Sequence, residues 1–316
     1  MYLVVGALAI GAYFFIPSPV AQESLRPLSS LAALGAFVAG ILVHRPRRPL
    51  PWYLFTLGSL LSILGIVTYV YYEITLGKTP FPSLADVFFL AGYPCVAAAL
   101  LIMQSRRLAR DRASVVDPII VSVGVGMLAW VFLMRPYLDD LSLSLPQRLV
   151  SVAYPLMDVL LLAVLVRMLL VSGRRPFAYY PLVAGVLCTL AFDASFTVSS
   201  LAGTYETGGL VDAFEMLFLL LLGTAALHPS MVDLSDGIVH DPETKLTRRR
   251  LALLAAASLM APGLLALQAA RGEPLNVPVI VGGSVVLFSL VIVRMMGLVR
   301  NIEQAAAEIQ HLNEGL

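Results

Sequence analysis

Apolar runs of roughly 15 to 25 residues recur along the chain between short polar connectors, close to the ~20 residues a helix needs to cross a bilayer. Lipid offers no water to backbone N–H and C=O groups, so a crossing segment must satisfy them itself, as a helix does. The runs fall at Tyr2 to Ile16, Ser29 to Val43, Trp52 to Tyr72, Leu84 to Met103, Val115 to Met134, Leu149 to Leu170, Phe177 to Leu201, Leu210 to Leu227, Leu251 to Ala270 and Val279 to Val299. Charged residues are 13% and hydrophobic residues 59% of the chain, against about 25% charged in soluble domains. The expected fold is therefore all-α, a polytopic transmembrane helical bundle of about ten spans in contact with a lipid bilayer.

Basic residues in short loops set orientation, because cytoplasmic loops are enriched in them. Arg45, Arg47 and Arg48 follow the second run, and Arg106, Arg107, Arg110 and Arg112 follow the fourth. Arg174 and Arg175 follow the sixth, and Lys245 with Arg248 to Arg250 the eighth. The intervening loops hold only Arg26, Lys78, Arg135, Arg148 and Arg271. A multi-pass cell-membrane protein follows, with even-numbered spans ending in the cytoplasm and both termini on that side. The first run is short and lacks the basic stretch and cleavage site of a signal peptide, so it reads as a retained helix.

An internal repeat joins the middle spans. Ser83-Leu-Ala-Asp-Val-Phe-Phe-Leu90 and Gly209-Leu-Val-Asp-Ala-Phe-Glu-Met216 align around Asp86 and Asp212, and Pro155-Leu-Met-Asp-Val-Leu-Leu-Leu162 is a looser third copy around Asp158. The implied unit is a helix hairpin used three times in the core. The chain then divides into an N-terminal helix pair (1–44), a six-helix core (45–228), a cytoplasmic loop (229–250), a C-terminal helix pair (251–300) and a helix at 301–316.

Carboxyl groups inside spans are the most informative side chains, since each costs about 2.5–3.5 kcal/mol at mid-bilayer unless it faces protein or water. Asp86, Asp158, Asp193, Asp212 and Glu215 gather toward the outer half, with no Lys or Arg expected within the spans to neutralise them, and Tyr93 and Tyr154 supply hydroxyls at similar depth. Two readings stand. In one, Ser83 and Asp86 form a capping box, Asp212 satisfies a helix start, and the deeper acids are held by interhelical hydrogen bonds. In the other, these seven residues line an outward polar pocket for a small ligand, a cation or a proton. Asp117-Pro118 reads as a plain helix start, Asp as cap and Pro at the first position.

Other chemistry is not signalled. His44, His228, His240 and His311 all fall in loops or the tail, whereas bundle haem and metal sites need inward-facing histidines, so neither metal nor cofactor is expected. The acidic loop from His228 to Arg250 reads as a solvated linker. No nucleotide-binding loop or serine elbow occurs, and a net charge of +1 without a basic face argues against nucleic acid. Cys95 and Cys188 sit in apolar runs and imply no disulfide framework.

The last span has no Gly or Pro break before the polar stretch from Asn301 to Leu316. Met295, Ile302, Ile309 and Leu316 share one heptad position, and Leu298, Ala305 and Leu312 the second, which is the seam of a coiled coil. A membrane helix continued as a cytoplasmic dimerising helix fits a homodimeric receptor that passes movement to an output domain. The rivals are a secondary transporter, with spans broken at Pro94, Pro155 and Pro262 around buried carboxylates, and a plain dimerising anchor.

Phe81-Pro-Ser-Leu-Ala-Asp-Val-Phe-Phe-Leu-Ala-Gly-Tyr-Pro94, Tyr154-Pro-Leu-Met-Asp158, Gly203-Thr-Tyr-Glu-Thr-Gly-Gly-Leu-Val-Asp212 and Ala226-Leu-His-Pro-Ser-Met231 resemble the N-terminal membrane region of actinobacterial GGDEF/EAL signalling proteins. The resemblance covers most of the chain, from about Arg45 to the tail. In that group the region precedes domains that make and break cyclic di-GMP, less often a histidine kinase. It implies that the tail leads into a cytoplasmic output domain. No GGDEF or EAL sequence is present here, so this chain is expected to carry no catalysis of its own.

Overall fold

The computed structural model describes residues 1–17, 19–77, 80–108, 115–170, 175–205, 209–236, 248–272 and 274–314. Helix makes up 86% of it, with no strand among the described residues. In chain order the elements are α1 (Tyr2–Tyr13), α2 (Pro19–His44), α3 (Leu50–Leu76), α4 (Leu84–Leu108), α5 (Val116–Ala129), a π-helical turn (Trp130–Met134), α6 (Arg135–Asp139), α7 (Leu145–Leu170), α8 (Tyr179–Leu201), α9 (Leu210–Leu227), α10 (Met231–Asp236), α11 (Arg248–Arg271) and α12 (Val277–Glu314). Among the described residues, nine helices are long and apolar enough to cross a membrane. The first expected span instead forms α1, whose 12 residues measure only about 18 Å at 1.5 Å per residue. It packs on α9, with the Tyr2 ring against Gly223 and Leu220 against Gly6.

Local chemistry explains where helices begin and end. Gly77 stops α3 with φ 61°, and its N–H donates to the Glu73 carbonyl at 3.0 Å; the left-handed conformation is one that glycine adopts without steric cost. Ahead of α6 the helix widens into the π turn just before Pro136, whose missing N–H and bulky ring disturb the regular ladder. Pro94, Pro155 and Pro262 lie inside α4, α7 and α11, which continue through them without a break.

Neighbouring contacts run α2 to α3, α3 to α4, α4 to α7, α7 to α8, α8 to α9 and α9 back to α2, closing a six-helix ring. Its apolar core includes Phe37, Trp52, Phe55, Leu100, Leu165, Leu182 and Met231. α5 packs against the outside of this ring at α7 and also contacts α11 and α12, forming a second cluster around Ile120, Met127, Leu264 and Leu287. Small residues let α2 and α9 approach closely, as membrane helices do without a hydrophobic drive between them. At Gly40 a Cβ would overlap the Ala226 carbonyl oxygen.

Polar contacts mark the two ends of the ring. At the end where α2 and α9 finish, His44 Nε2 meets the Leu227 carbonyl at 2.9 Å, the Arg48 N–H donates to Asp236 at 3.0 Å, and the Ala178 N–H donates to Ser230 Oγ at 2.9 Å. The carboxyl groups lie toward the opposite one.

Candidate functional site

Four tyrosine–carboxyl hydrogen bonds and one ion pair build the polar network among the described residues. At the start of α4, Ser83 Oγ accepts from the Ala85 N–H at 3.2 Å while Asp86 accepts from the Ser83 N–H at 2.7 Å, a reciprocal capping box. The other Asp86 oxygen accepts from the Tyr154 hydroxyl of α7 at 2.9 Å, so this cap also ties two helices together. The Tyr154 ring meets Tyr93 edge-on, with centroids 6.3 Å apart. Tyr93 on α4 donates its hydroxyl to Asp193 on α8 at 2.9 Å.

Asp158 of α7 lies near Asp193, close enough for the two carboxyl groups to interact electrostatically. Asp158 Oδ1 is buried without a hydrogen-bond partner among the described residues. α7 begins at Leu145, so Asp158 lies about three and a half turns into it, far from either helix end.

On the α9 side, Asp212 is fully buried and accepts from Tyr13 at 2.7 Å and Tyr205 at 2.9 Å. Glu215, one turn further, pairs with Arg26 at 2.6 Å; their side chains are 20% and 27% exposed. This corrects the expectation that the carboxyls lack a cation. Arg26 lies inside α2, which starts ten residues earlier than the apolar run at Ser29 to Val43 suggests. Hydropathy missed it because the first turns of α2 are polar and read as loop. Tyr13 and Tyr205 were missed for a related reason: nothing local marks one hydroxyl among many as the partner of a particular carboxyl.

The seven candidate residues, Asp86, Tyr93, Tyr154, Asp158, Asp193, Asp212 and Glu215, lie on α4, α7, α8 and α9, with α1 and α2 adding Tyr13 and Arg26; hydrogen bonds join Asp86 with Tyr154, Tyr93 with Asp193, and Asp212 with Tyr13 and Tyr205, beside the Glu215–Arg26 pair. Chemically these are hydroxyl and carboxyl groups paired at hydrogen-bond distance, of the kind that can hold a proton or rearrange around a cation.

The Tyr205 phenol, in the connector between α8 and α9, is pushed up to about 12 by burial, with Asp212 adding to the rise and Arg26 opposing it. A folded value above the free tyrosine value of about 10 stabilises the fold below pH 10. That contribution should fall away as the pH rises toward 12. Difference absorbance between the protein and Tyr205→Phe should show one phenol titrating later than free tyrosine; ionisation near pH 10 would contradict the buried contact.

Asp117 departs from its expected capping role. It lies inside the first turn of α5, is fully buried, and meets Arg294 of α12 at 2.7 Å, with the Arg294 side chain 7% exposed.

Of the residues expected to transmit a signal, Met295 is exposed on α12. The side chains of Leu298, Ile302, Ala305, Ile309 and Leu312 lie outside the described residues, as does His240 with most of the acidic loop. The backbone of α12 nevertheless runs unbroken from Val277 to Glu314. No family model, curated protein or solved structure matches this chain. Among the described residues, the fold and site define an all-helical, multi-pass membrane protein with a set of carboxyl–tyrosine contacts toward one end of its bundle.

Proposed function

We propose that this chain is the membrane sensor of a homodimeric signalling protein, with the carboxyl–tyrosine network facing outward as its input and α12 carrying the change to a cytoplasmic output domain. The observation that carries this reading is the continuity of α12. Its 38 residues reach about 57 Å, against a hydrocarbon core of about 30 Å, so the same rod that packs in the bundle protrudes from it. On its outward side Val281, Val285, Phe288, Ile292, Met295 and Val299 are all exposed at alternating steps of four and three residues. In sequence Met295 shares its heptad position with Ile302, Ile309 and Leu316, the stripe through which a second copy of the helix would pair.

By the resemblance stated above, the output is synthesis or hydrolysis of cyclic di-GMP, performed by a domain outside this chain. The transporter reading draws on the same carboxyls, but transporter sites are built on discontinuous helices, and α4, α7 and α11 run intact through their prolines. A plain anchor has no use for a hydroxyl–carboxyl network linking six helices.

Asp158→Asn and Asp193→Asn test the input. In a chain bearing its output domain, each substitution removes a buried carboxyl group while keeping shape, and cyclic di-GMP production should move away from the wild-type level. Folded protein with output unchanged in both variants, at every pH between 5 and 8, would sink the proposed input site.

A further inference from the structure

We infer that Arg167, near the end of α7, binds the phosphodiester of an anionic phospholipid at the seam between α4 and α7. The site stands apart from the signalling reading above. Three arginines of the bundle meet carboxylates: Arg26 with Glu215, Arg135 with Asp139 and Arg294 with Asp117. Arg167 does not. Among the described residues it makes no hydrogen bond and no ion pair, and its Nε is buried without a partner. It lies within the apolar stretch Leu145–Leu170, where an unanswered charge is costly.

Depth and geometry indicate what answers it. α7 has 26 residues, about 39 Å, close to the ~40–45 Å of a bilayer with its headgroups. Arg167 is three residues from the last one, Leu170, so its guanidinium sits level with lipid phosphates. On the ring side, Gln104 of α4 donates its Nε2 to the Val164 carbonyl at 3.2 Å, while its own Oε1 is buried without a donor. Val164 is one turn before Arg167, yet Arg167 leaves that acceptor unused; its guanidinium is turned away from the ring. Leu160, two turns earlier on the same face of α7, is exposed, which puts Arg167 on the lipid side of the seam. Its Nε is enclosed but the side chain is partly exposed, leaving the outer Nη edge to bind. That planar fork fits two oxygens of one phosphate. Arg175 donates to the Leu169 carbonyl at 2.9 Å and brings a second positive charge to the same helix end. Together they favour a headgroup of net negative charge, such as phosphatidylglycerol, over a zwitterionic one.

The test uses the whole chain in lipid-free detergent, with bound lipid counted by native mass spectrometry and unfolding followed by temperature. Dioleoylphosphatidylglycerol should bind saturably, more tightly than dioleoylphosphatidylcholine, and raise the melting temperature. Arg167→Met should weaken that binding on the order of tenfold, the loss expected of one charged hydrogen-bonded contact. Arg167→Lys keeps the charge without the fork and should bind between the two. Arg47→Met removes an exposed arginine at the same end of the bundle and should leave binding unchanged. Without lipid, Arg167→Met should melt no lower than the unaltered chain, because no protein contact is lost. Equal weakening by Arg47→Met and Arg167→Met would mean diffuse charge attraction and would overturn the site. Inorganic phosphate that displaces the lipid would do so too, by giving the fork to a free anion. A lipid-free Arg167→Met chain that melts lower or fails to fold would assign the arginine a structural role, and the lipid site would fall with it.

Discussion

Inserting one residue after Arg300, in a chain carrying its output domain, should change cyclic di-GMP production by on the order of tenfold, the range set by allosteric couplings of about 1–3 kcal/mol. Each added residue turns everything beyond it by about 100° and advances it by about 1.5 Å. The stripe that includes Ile302 and Ile309 then leaves the phase set by Phe288 and Met295 on the membrane segment. Insertions of two and three residues should give different outputs again, and seven residues, close to two full turns, should bring output back toward the starting level. This periodic return separates transmission through a rigid rod from simple damage to the tail. Outputs that are the same for one, two, three and seven residues would mean that the rod's rotation carries nothing, and a flexible tether would take its place.

The second large effect is expected at Arg26. Removing its charge with Arg26→Met leaves the Glu215 carboxyl without the cation it meets at 2.6 Å. Breaking a fully buried pair costs about 3–5 kcal/mol. With the two side chains 27% and 20% exposed, water offsets part of this, and a loss of about 2 kcal/mol is expected. Glu215→Gln in the same chain should recover most of it, since a neutral amide needs no counter-charge. A double-mutant cycle followed by unfolding in mixed detergent micelles measures the coupling. Losses that simply add would show that Arg26 and Glu215 act independently and that the ring tolerates the carboxylate without its cation.

Much of the candidate site was legible in the sequence because a carboxyl in an apolar run is a local anomaly. Asp158 and Asp193 announce themselves by cost alone. Ser83 and Asp86 announce a cap by spacing, and the cap is present. Partnership was not legible. Tyr13 reaches Asp212 across 199 positions and Arg26 reaches Glu215 across 189, separations over which no local pattern extends. Asp117 shows the opposite hazard: Asp followed by Pro at a helix start satisfies every local rule for a cap, yet the side chain turns inward to Arg294. A local rule describes which bonds are available, and a distant charge can offer a better one.

Hydropathy by itself determined that this chain is helical and membrane-embedded, because apolar length and backbone hydrogen bonding are properties of each segment alone. It also placed the ends of most helices to within a few residues, where the apolar runs stop. Which helices touch was decided only in three dimensions. In lipid the outward face of a helix is as apolar as the inward one, so the one-sided pattern that reveals packing in water is missing. The closed ring of α2, α3, α4, α7, α8 and α9, with α5 drawn away to α11 and α12, rests on close approaches such as Gly40 to Ala226 and on a few polar pairs whose partners are distant in sequence.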